Sequence, residues 1–100
     1  MSSGPALDDV IHSPTRLRIC AALDPTTGLE FAVIEEGLGI STSLLSKQLR
    51  VLVDAGYVEL ERRKQPVGRP RVWVRLTRRG RRAFREHVAA LRALVEKPLT

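Results

Sequence analysis

The side chains best suited to catalysis or metal binding are few and scattered: one cysteine, Cys20, and two histidines, His12 and His87. A zinc site needs three or four such ligands at defined spacing, and covalent catalysis needs a nucleophile beside a base. The sequence contains neither arrangement, and it has no glycine-rich phosphate loop. We therefore expect no enzyme, no metal site and no cofactor. An intersubunit metal site using Glu86 and His87 is the less favoured alternative.

Basic side chains form the cluster that points to a function. The 100 residues include 17 Lys and Arg against 11 Asp and Glu, a net charge of +6. Residues 62–85 hold eleven of the basic residues and no acidic one, so the remainder of the chain is net acidic. Such clustering is typical of a surface that binds a polyanion, nucleic acid above all. A solvated basic face that serves solubility is the alternative.

Polar side chains of a second kind share one face of a predicted helix over residues 42–55. At 100° per residue, small hydroxyls and two long bases fall on one side, and Leu44, Leu45, Leu49, Val51 and Leu52 fall on the other. Small residues allow close approach to a major groove, and Lys or Arg can contact phosphates or base edges. The predicted DNA contacts are Thr42, Ser43, Ser46, Lys47 and Arg50. The role of Gln48, which lies among the leucines, is left open.

A basic loop, residues 63–70, joins two predicted strands and contains two prolines and a glycine. Val58 and Leu60 are expected on the inner face of the first strand. Arg69, between Gly68 and Pro70, is the predicted minor-groove contact, because a narrow minor groove attracts arginine. The residues expected at flanking phosphates are Arg62, Arg63, Lys64 and Arg71. A solvated hairpin tip is the alternative.

Caps and hydrophobic spacing define the elements that must position these side chains. Ser13, Ser41 and Thr77 are the expected helix N-caps, and Gly39 is the expected end of the second helix. Leu29 is predicted to form an isolated β-bridge. The predicted elements are helices 14–24, 30–38, 42–55 and 77–96, and strands 57–62 and 71–76. This order predicts a mainly α fold with a small β-hairpin.

Several short segments, in this order, resemble the winged-helix transcriptional regulators of the MarR/ArsR-like group, and most closely the stand-alone winged-helix DNA-binding family. The segments are IHSPTRLRI (11–19), LLSKQL (44–49), DAGYV (54–58), GRPR (68–71) and RLTRRGR (75–81). The resemblance covers about residues 8–96 and depends on order and spacing. It implies a cytoplasmic homodimer that binds double-stranded DNA, with helix 42–55 in the major groove and the hairpin as the wing.

Composition and resemblance together divide the chain. Residues 1–7 are rich in Ser, Gly and Pro and are expected to form a disordered tail. Residues 8–76 would form the winged helix-turn-helix, and residues 77–100 the dimerisation helix of the same domain. Relatives usually place an acidic residue or proline just after the cap at Thr77, whereas this chain has four arginines there, which oppose the helix dipole. Phosphate contact, interface pairing and simple exposure all stay open for these residues: Arg78, Arg79, Arg81 and Arg82.

The last helix is longer than a core of this size can cover, so its apolar residues predict pairing with a second copy. The predicted dimer interface comprises Phe84, Val88, Leu91, Leu94 and Val95. Packing on the chain's own core is the alternative. Trp73 and Phe84 are expected to pack in the core or interface, and lining a pocket for an effector is their second possible role.

Together these features predict a sequence-specific transcriptional regulator, a repressor that binds a pseudo-palindromic operator as a homodimer. The alternatives are a winged helix used for protein–protein interaction and a non-specific architectural nucleic-acid binder. The sequence contains no apolar run long enough for a membrane span, no signal segment and a single cysteine, so we expect a cytoplasmic protein. Neither the operator, the regulated genes, the sign of regulation nor any small-molecule effector can be deduced from it.

Overall fold

The computed structural model describes residues 6–96. Its elements are α1 (Pro14–Leu23), β1 (Leu29–Glu30), α2 (Phe31–Leu38), α3 (Thr42–Asp54), β2 (Val58–Arg63), β3 (Arg71–Leu76) and α4 (Arg78–Glu96). The predicted mainly α fold with a β-hairpin is confirmed. The predicted end of α4 at Lys97-Pro98, and residues 1–5 of the predicted tail, lie outside the described residues. None of the described helices is both long enough and apolar enough to cross a bilayer.

The helix boundaries form where the local sequence predicts them. Gly39 ends α2 with φ of 64°, a left-handed conformation that glycine adopts without steric cost. Ser41 caps α3, because its Oγ accepts a hydrogen bond from the Leu44 N–H at 3.1 Å. Thr77 caps α4 in the same way, accepting from the Gly80 N–H at 2.9 Å. The orphan amides at both helix starts therefore have side-chain partners.

The three strands form one antiparallel sheet in the order β1, β3, β2. Leu29 pairs with Val74 and Glu30 with Trp73, so β1 is a two-residue strand and not the isolated bridge that the sequence predicts. β2 begins at Val58, one residue later than expected. The sheet thus ties the segment before α2 to the base of the hairpin.

One hydrophobic core joins all four helices to the base of the sheet. Its buried members are Ile11, Ile19, Cys20, Leu23, Ile34, Leu45, Leu49, Leu52, Val58, Val74, Leu76 and Phe84. Cys20 is a core residue, and burial raises the pKa of its thiol to about 12, so it stays protonated and unreactive. Leu60 and Leu44 were expected on buried faces but are 48% and 37% exposed. Leu60 is paired with the buried Val74 across the sheet, and its side chain borders the open groove that Phe31 and Leu49 also line.

The start of α4 is packed against the residues that join α3 to β2. The Thr77 N–H donates to the Tyr57 carbonyl at 3.0 Å, and the Thr77 hydroxyl donates to the Gly56 carbonyl at 2.7 Å. Gly80, in the first turn of α4, lies directly against the Tyr57 backbone. This end of α4 is therefore held beside the C-terminal end of α3, at the base of the hairpin.

Asp8 connects the N-terminal segment to two distant elements. Its carboxylate accepts hydrogen bonds from the N–H groups of Val10 and Ile11, at 2.8 and 3.0 Å, and from the Tyr57 hydroxyl. Its own N–H donates to Nδ1 of His87 at 2.9 Å. His87 is fully buried, and its Nε2 has no hydrogen-bond partner among residues 6–96. Because Nδ1 accepts a hydrogen bond, the imidazole is neutral and carries its proton on Nε2.

Acid is expected to destabilise the fold through His87. Burial, followed by the nearby His12 ring, lowers the pKa of His87 below its ordinary 6.5. The unfolded chain therefore takes up a proton near pH 6.5, while the folded chain takes it up only at lower pH, and protonation of Nδ1 would break the bond from Asp8. The free energy of unfolding should be constant above about pH 6.5 and fall as the pH is lowered from there.

Urea unfolding between pH 5.5 and 7.5 measures this dependence. The variant His87→Leu should lose most of the pH slope in that window, whereas His12→Gln should keep it. An unchanged slope in His87→Leu would assign the pH dependence to another group.

Candidate nucleic-acid interface

The polar face of α3 is exposed as predicted from the helix periodicity. Its core side packs through Leu45, Leu49 and Leu52, which are at most 1% exposed. The residues that this packing leaves exposed on the outer face are Thr42, Ser43, Ser46, Lys47 and Arg50. Lys47 and Arg50 make no ion pair with any residue in the described part of the chain. Both long bases are therefore available for an anionic ligand.

A residue absent from the sequence predictions, Arg16 of α1, fixes the orientation of α3. Its Nη1 donates to Oε1 of Gln48 at 2.6 Å, and its Nε donates to the Val10 carbonyl. Gln48 is half-buried and so belongs to the contact between α1 and α3 and not to the exposed face. The two residues are 32 positions apart, and no local sequence signal marks the pair.

The hydroxyl of Thr42, at the start of α3, donates to the carboxylate of Glu35 in α2. Glu35 is half-buried, whereas its neighbour Glu36 is exposed. The turn between α2 and α3 brings the two side chains together. The bond links both helices of the helix-turn-helix at the end of α3 that carries Ser43 and Ser46.

The loop between β2 and β3, residues 64–70, carries Arg69 near its tip. Nε2 of Gln65 donates to the Arg69 carbonyl at 2.8 Å, which closes the loop on itself. The side chains of Arg62, Lys64 and Arg69 are exposed and form no ion pair within residues 6–96. These three bases are the uncompensated charges of the hairpin.

The other arginines of the hairpin form ion pairs with glutamates on the outer face of the sheet. The contact with β1 pairs Arg71 with Glu30 at 3.0 Å, and cross-strand pairing joins Arg75 to Glu59 at 3.3 Å. A third ion pair lies within β2, where Arg63 is 3.1 Å from Glu61, two residues before it. The Arg63 guanidinium also lies 4.4 Å from the Trp73 ring centroid. Exposed pairs of this kind contribute about 0–1 kcal/mol, so a phosphate can displace the carboxylate.

The density of basic residues along 62–85 therefore overstates the free positive charge. Besides the three arginines just described, Arg81 and Arg85 both lie 3.3 Å from Asp24. Five of the eleven basic residues are therefore paired with carboxylates from outside the segment. Four of the five pairings depend on the fold, because Glu30, Glu59 and Asp24 lie on other strands or at the end of α1. Only Arg63 and Glu61 are neighbours in the sequence. Arg63 and Arg71 can contact phosphates only by giving up their present partners.

Two open grooves lie between α3 and the hairpin. The larger, about 810 Å³, brings the start of α3 to the wing, and its polar lining includes Thr42, Ser46, Arg69, Arg71, Glu30 and Glu35. The smaller, about 380 Å³, has an apolar floor flanked by two arginines, with Phe31, Leu49, Leu60, Val72, Arg50 and Arg62 in its lining. The face of α3 and the tip of the hairpin thus border the same concave side of the domain.

The side chains that could bind a metal ion are dispersed in the described part of the chain. No group of three or more His, Cys, Asp or Glu side chains within residues 6–96 is placed to hold a metal ion. His87, which an intersubunit metal site with Glu86 would need on the surface, is buried against Asp8 and His12. The arrangement is suited to binding an extended anion.

The residues predicted for dimerisation differ in exposure along α4. Phe84 is 9% exposed and packs in the chain's own core, so it contributes little to any second surface. Val88 and Leu91 are half-buried. Leu94 and Val95 are 64% and 83% exposed, which is unusual for large aliphatic side chains close together. The C-terminal part of α4 therefore carries an uncovered apolar surface.

A helix-turn-helix with an exposed polar second helix, followed by a basic hairpin, defines the winged-helix class of DNA-binding domains. The chain belongs to the family described as winged helix DNA-binding domain, whose model matches residues 15–95. The predicted family resemblance is thereby confirmed.

Solved structures support the same assignment. A transcriptional regulator homologue from Pyrococcus horikoshii OT3 is 26% identical, with a TM-score of 0.80 over 87% of this chain and 85% of that one. The putative transcriptional regulator ytfH from Salmonella typhimurium is 26% identical, with a TM-score of 0.71 over 87% and 75%. The PcaV transcriptional regulator from Streptomyces coelicolor, solved with its natural ligand, is 25% identical, with a TM-score of 0.70 over 94% and 67%. No curated protein sequence matches this chain.

Proposed function

We propose that this protein is a cytoplasmic, sequence-specific regulator of transcription that binds double-stranded DNA as a homodimer and represses its target. The observation that carries the proposal is the shared groove, in which hydroxyls of α3 and arginines of the wing line one concave side. A duplex lying along this side meets both elements at once. The solved relatives named as transcriptional regulators support the same function.

In this proposal α3 enters the major groove and the wing contacts the adjacent backbone or minor groove. Ser43 and Ser46 allow close approach, and Lys47 and Arg50 reach base edges or phosphates. Arg69 enters the minor groove, whose negative potential is strongest where it is narrow. The remaining wing contacts are to phosphates, through Arg62, Arg63, Lys64 and Arg71.

The exposed end of α4 is proposed to pair with a second copy of the chain. The 19 residues of α4 extend for about 28 Å, further than the core of one chain reaches. Val88, Leu91, Leu94 and Val95 would form the interface, with Phe84 behind them in the core. A two-fold dimer presents two α3 helices, so the operator should be a pseudo-palindrome with half-sites about one turn apart. Repression needs only the DNA-binding surface and the dimer interface, because a dimer bound at a promoter blocks access to that promoter.

Replacing Leu94 by glutamate is expected to yield a monomer. The substitution places a charge in the apolar interface, and it should lower operator affinity by about 100-fold, because each half-site is then bound alone. Sedimentation and DNA titration measure the two effects. Ala93→Glu adds the same charge one residue away, on the exposed opposite side of α4, and should stay dimeric. A dimeric Leu94→Glu variant would contradict the proposed interface.

Fluorescence anisotropy on the DNA upstream of the protein's own gene tests the function, with a scrambled duplex as the control. Across about 50–300 mM salt we expect strongly salt-dependent binding and a preference for the upstream DNA of about 10³-fold or more. Equal binding to both duplexes would favour a non-specific architectural protein. No binding at low salt would favour a protein–protein interaction module.

A further inference from the structure

The exposed residues of α3 and the basic residues of the wing, from Thr42 to Arg50 and from Arg62 to Arg71, form what we call the reading surface. The outer face of α4 carries a row of arginines that lie outside it. Arg78, Arg82, Arg85 and Arg92 recur at i, i+4, i+7 and i+14, and all four are exposed. At 100° per residue they lie within an arc of about 80°, and they extend over about 21 Å of helix. We call these four residues the arginine stripe.

Little of the charge on the stripe is neutralised. Arg85 pairs with Asp24 at 3.3 Å, but its side chain is 65% exposed and it shares that carboxylate with Arg81. Arg81 is held in place differently, since its Nη2 also donates to the carbonyls of Asp24 and Thr26. The other three stripe residues form no ion pair with any residue from 6 to 96. Arg81 therefore anchors α4 to the end of α1, and the stripe stays positively charged.

The stripe opposes the stability of the helix that carries it. Cations in the first turn of α4 face the positive end of the helix dipole, and arginines at i and i+4 repel each other. An anionic ligand along this face would relieve both effects.

The stripe is separate from the reading surface, and only its Arg92 end borders the proposed dimer interface. Helices α3 and α4 both turn their apolar sides to one core, so their polar sides face away from each other. The start of α4 lies against Tyr57, at the opposite end of α3 from Ser43 and Ser46. On α4 itself, Leu91 and Leu94 project from the side opposite the stripe, whereas Val88 and Val95 lie beside Arg92. Arg78 and Arg82 are more than a full turn away from these interface residues along the helix.

We infer that the arginine stripe binds the phosphate backbone of a second DNA duplex, so that one protein holds two duplex segments at once. A length of about 21 Å suits a run of phosphates on a duplex and exceeds the size of a small anion. Guanidinium groups match phosphate geometry. The stripe has no hydroxyl or amide side chain for reading bases, so the contact is independent of sequence. The inference extends the proposed function, but it requires only that the stripe binds duplex DNA.

The first test is a capture experiment with two duplexes. One unrelated duplex is fixed to beads, and a labelled upstream duplex is offered in the presence of the full chain. The double variant Arg78→Gln/Arg82→Gln should reduce capture by about tenfold or more, while its anisotropy-measured affinity for the upstream duplex alone changes less than twofold. The matched control Arg18→Gln/Arg75→Gln removes the same charge from exposed sites elsewhere and should keep both activities. Equal capture by the two double variants would overturn the inference.

The second test removes the reading surface and so separates this inference from the proposed function. In a Lys47→Glu background, the residual binding of duplex DNA should still weaken as salt is raised. Adding Arg78→Gln/Arg82→Gln should lower the magnitude of the slope of log K against log salt by about 1.8. Each of the two lost phosphate contacts changes that slope by about 0.9. The control pair should leave the slope unchanged. Preference of the stripe for single-stranded RNA, or binding of tripolyphosphate without duplex capture, would overturn the inference in favour of another ligand.

Discussion

Reversing the charge of Lys47 is expected to remove most of the discrimination between the operator and other DNA. Lys47 is exposed on the face of α3 proposed to enter the major groove, and no described residue neutralises it. A glutamate there loses the contact and repels the phosphates and the acceptor groups of guanine. One specific base contact accounts for about 1–3 kcal/mol of discrimination, and the added repulsion should bring the loss of operator affinity to about 100-fold.

Anisotropy titrations of Lys47→Glu with upstream and scrambled duplexes measure this effect. The control is Arg18→Glu, the same charge reversal at an exposed residue of α1 that forms no ion pair within the described chain. We expect the control to keep its preference for the upstream duplex. If Lys47→Glu weakened binding to both duplexes by the same factor, the protein would be an architectural binder. If it changed neither, α3 would not be the reading element.

Replacing Gly80 by alanine is expected to be the most destabilising single-methyl change in the fold. A Cβ at this position would lie 2.0 Å from the Tyr57 carbonyl oxygen and 2.7 Å from its carbon. These are backbone atoms, and the same carbonyl accepts the Thr77 N–H at the start of α4, so they cannot move without displacing the helix. Overpacking costs about 1–3 kcal/mol, and this contact with fixed backbone atoms should place the variant at the upper end of that range. Domains of this size have total stabilities of about 5–15 kcal/mol, so much of the stability would be lost.

Urea or thermal unfolding followed by circular dichroism measures the loss. Gly37→Ala is the matched control, because Gly37 lies inside α2 and a Cβ there would meet nothing within 4 Å. This control should be neutral or stabilising by up to about 1 kcal/mol, through the higher helix propensity of alanine. A Gly80→Ala variant as stable as the original would show that α4 can shift away from Tyr57 at little cost.

The part of the reading surface that lies on a single helix could be predicted from the sequence. The polar face of α3 follows from a 3.6-residue period, because its leucines must turn toward a core and its hydroxyls and bases then face outward. Gln48 could not be assigned this way. Its partner Arg16 is 32 residues distant, and only the packing of α1 on α3 brings the two together.

The elements, their order and most of their boundaries follow from local sequence, because caps, glycine turns and hydrophobic periods act between neighbouring residues. Ser41 and Thr77 begin helices, and Gly39 ends one, where the local pattern requires it. Tertiary structure decided which charges are free and which apolar residues are covered. Glu30 and Asp24 neutralise arginines that follow them by more than 40 residues, and Phe84 joins the core while Val95 stays exposed. Ion pairing and burial depend on distances between elements, and those distances exist only once the chain has packed.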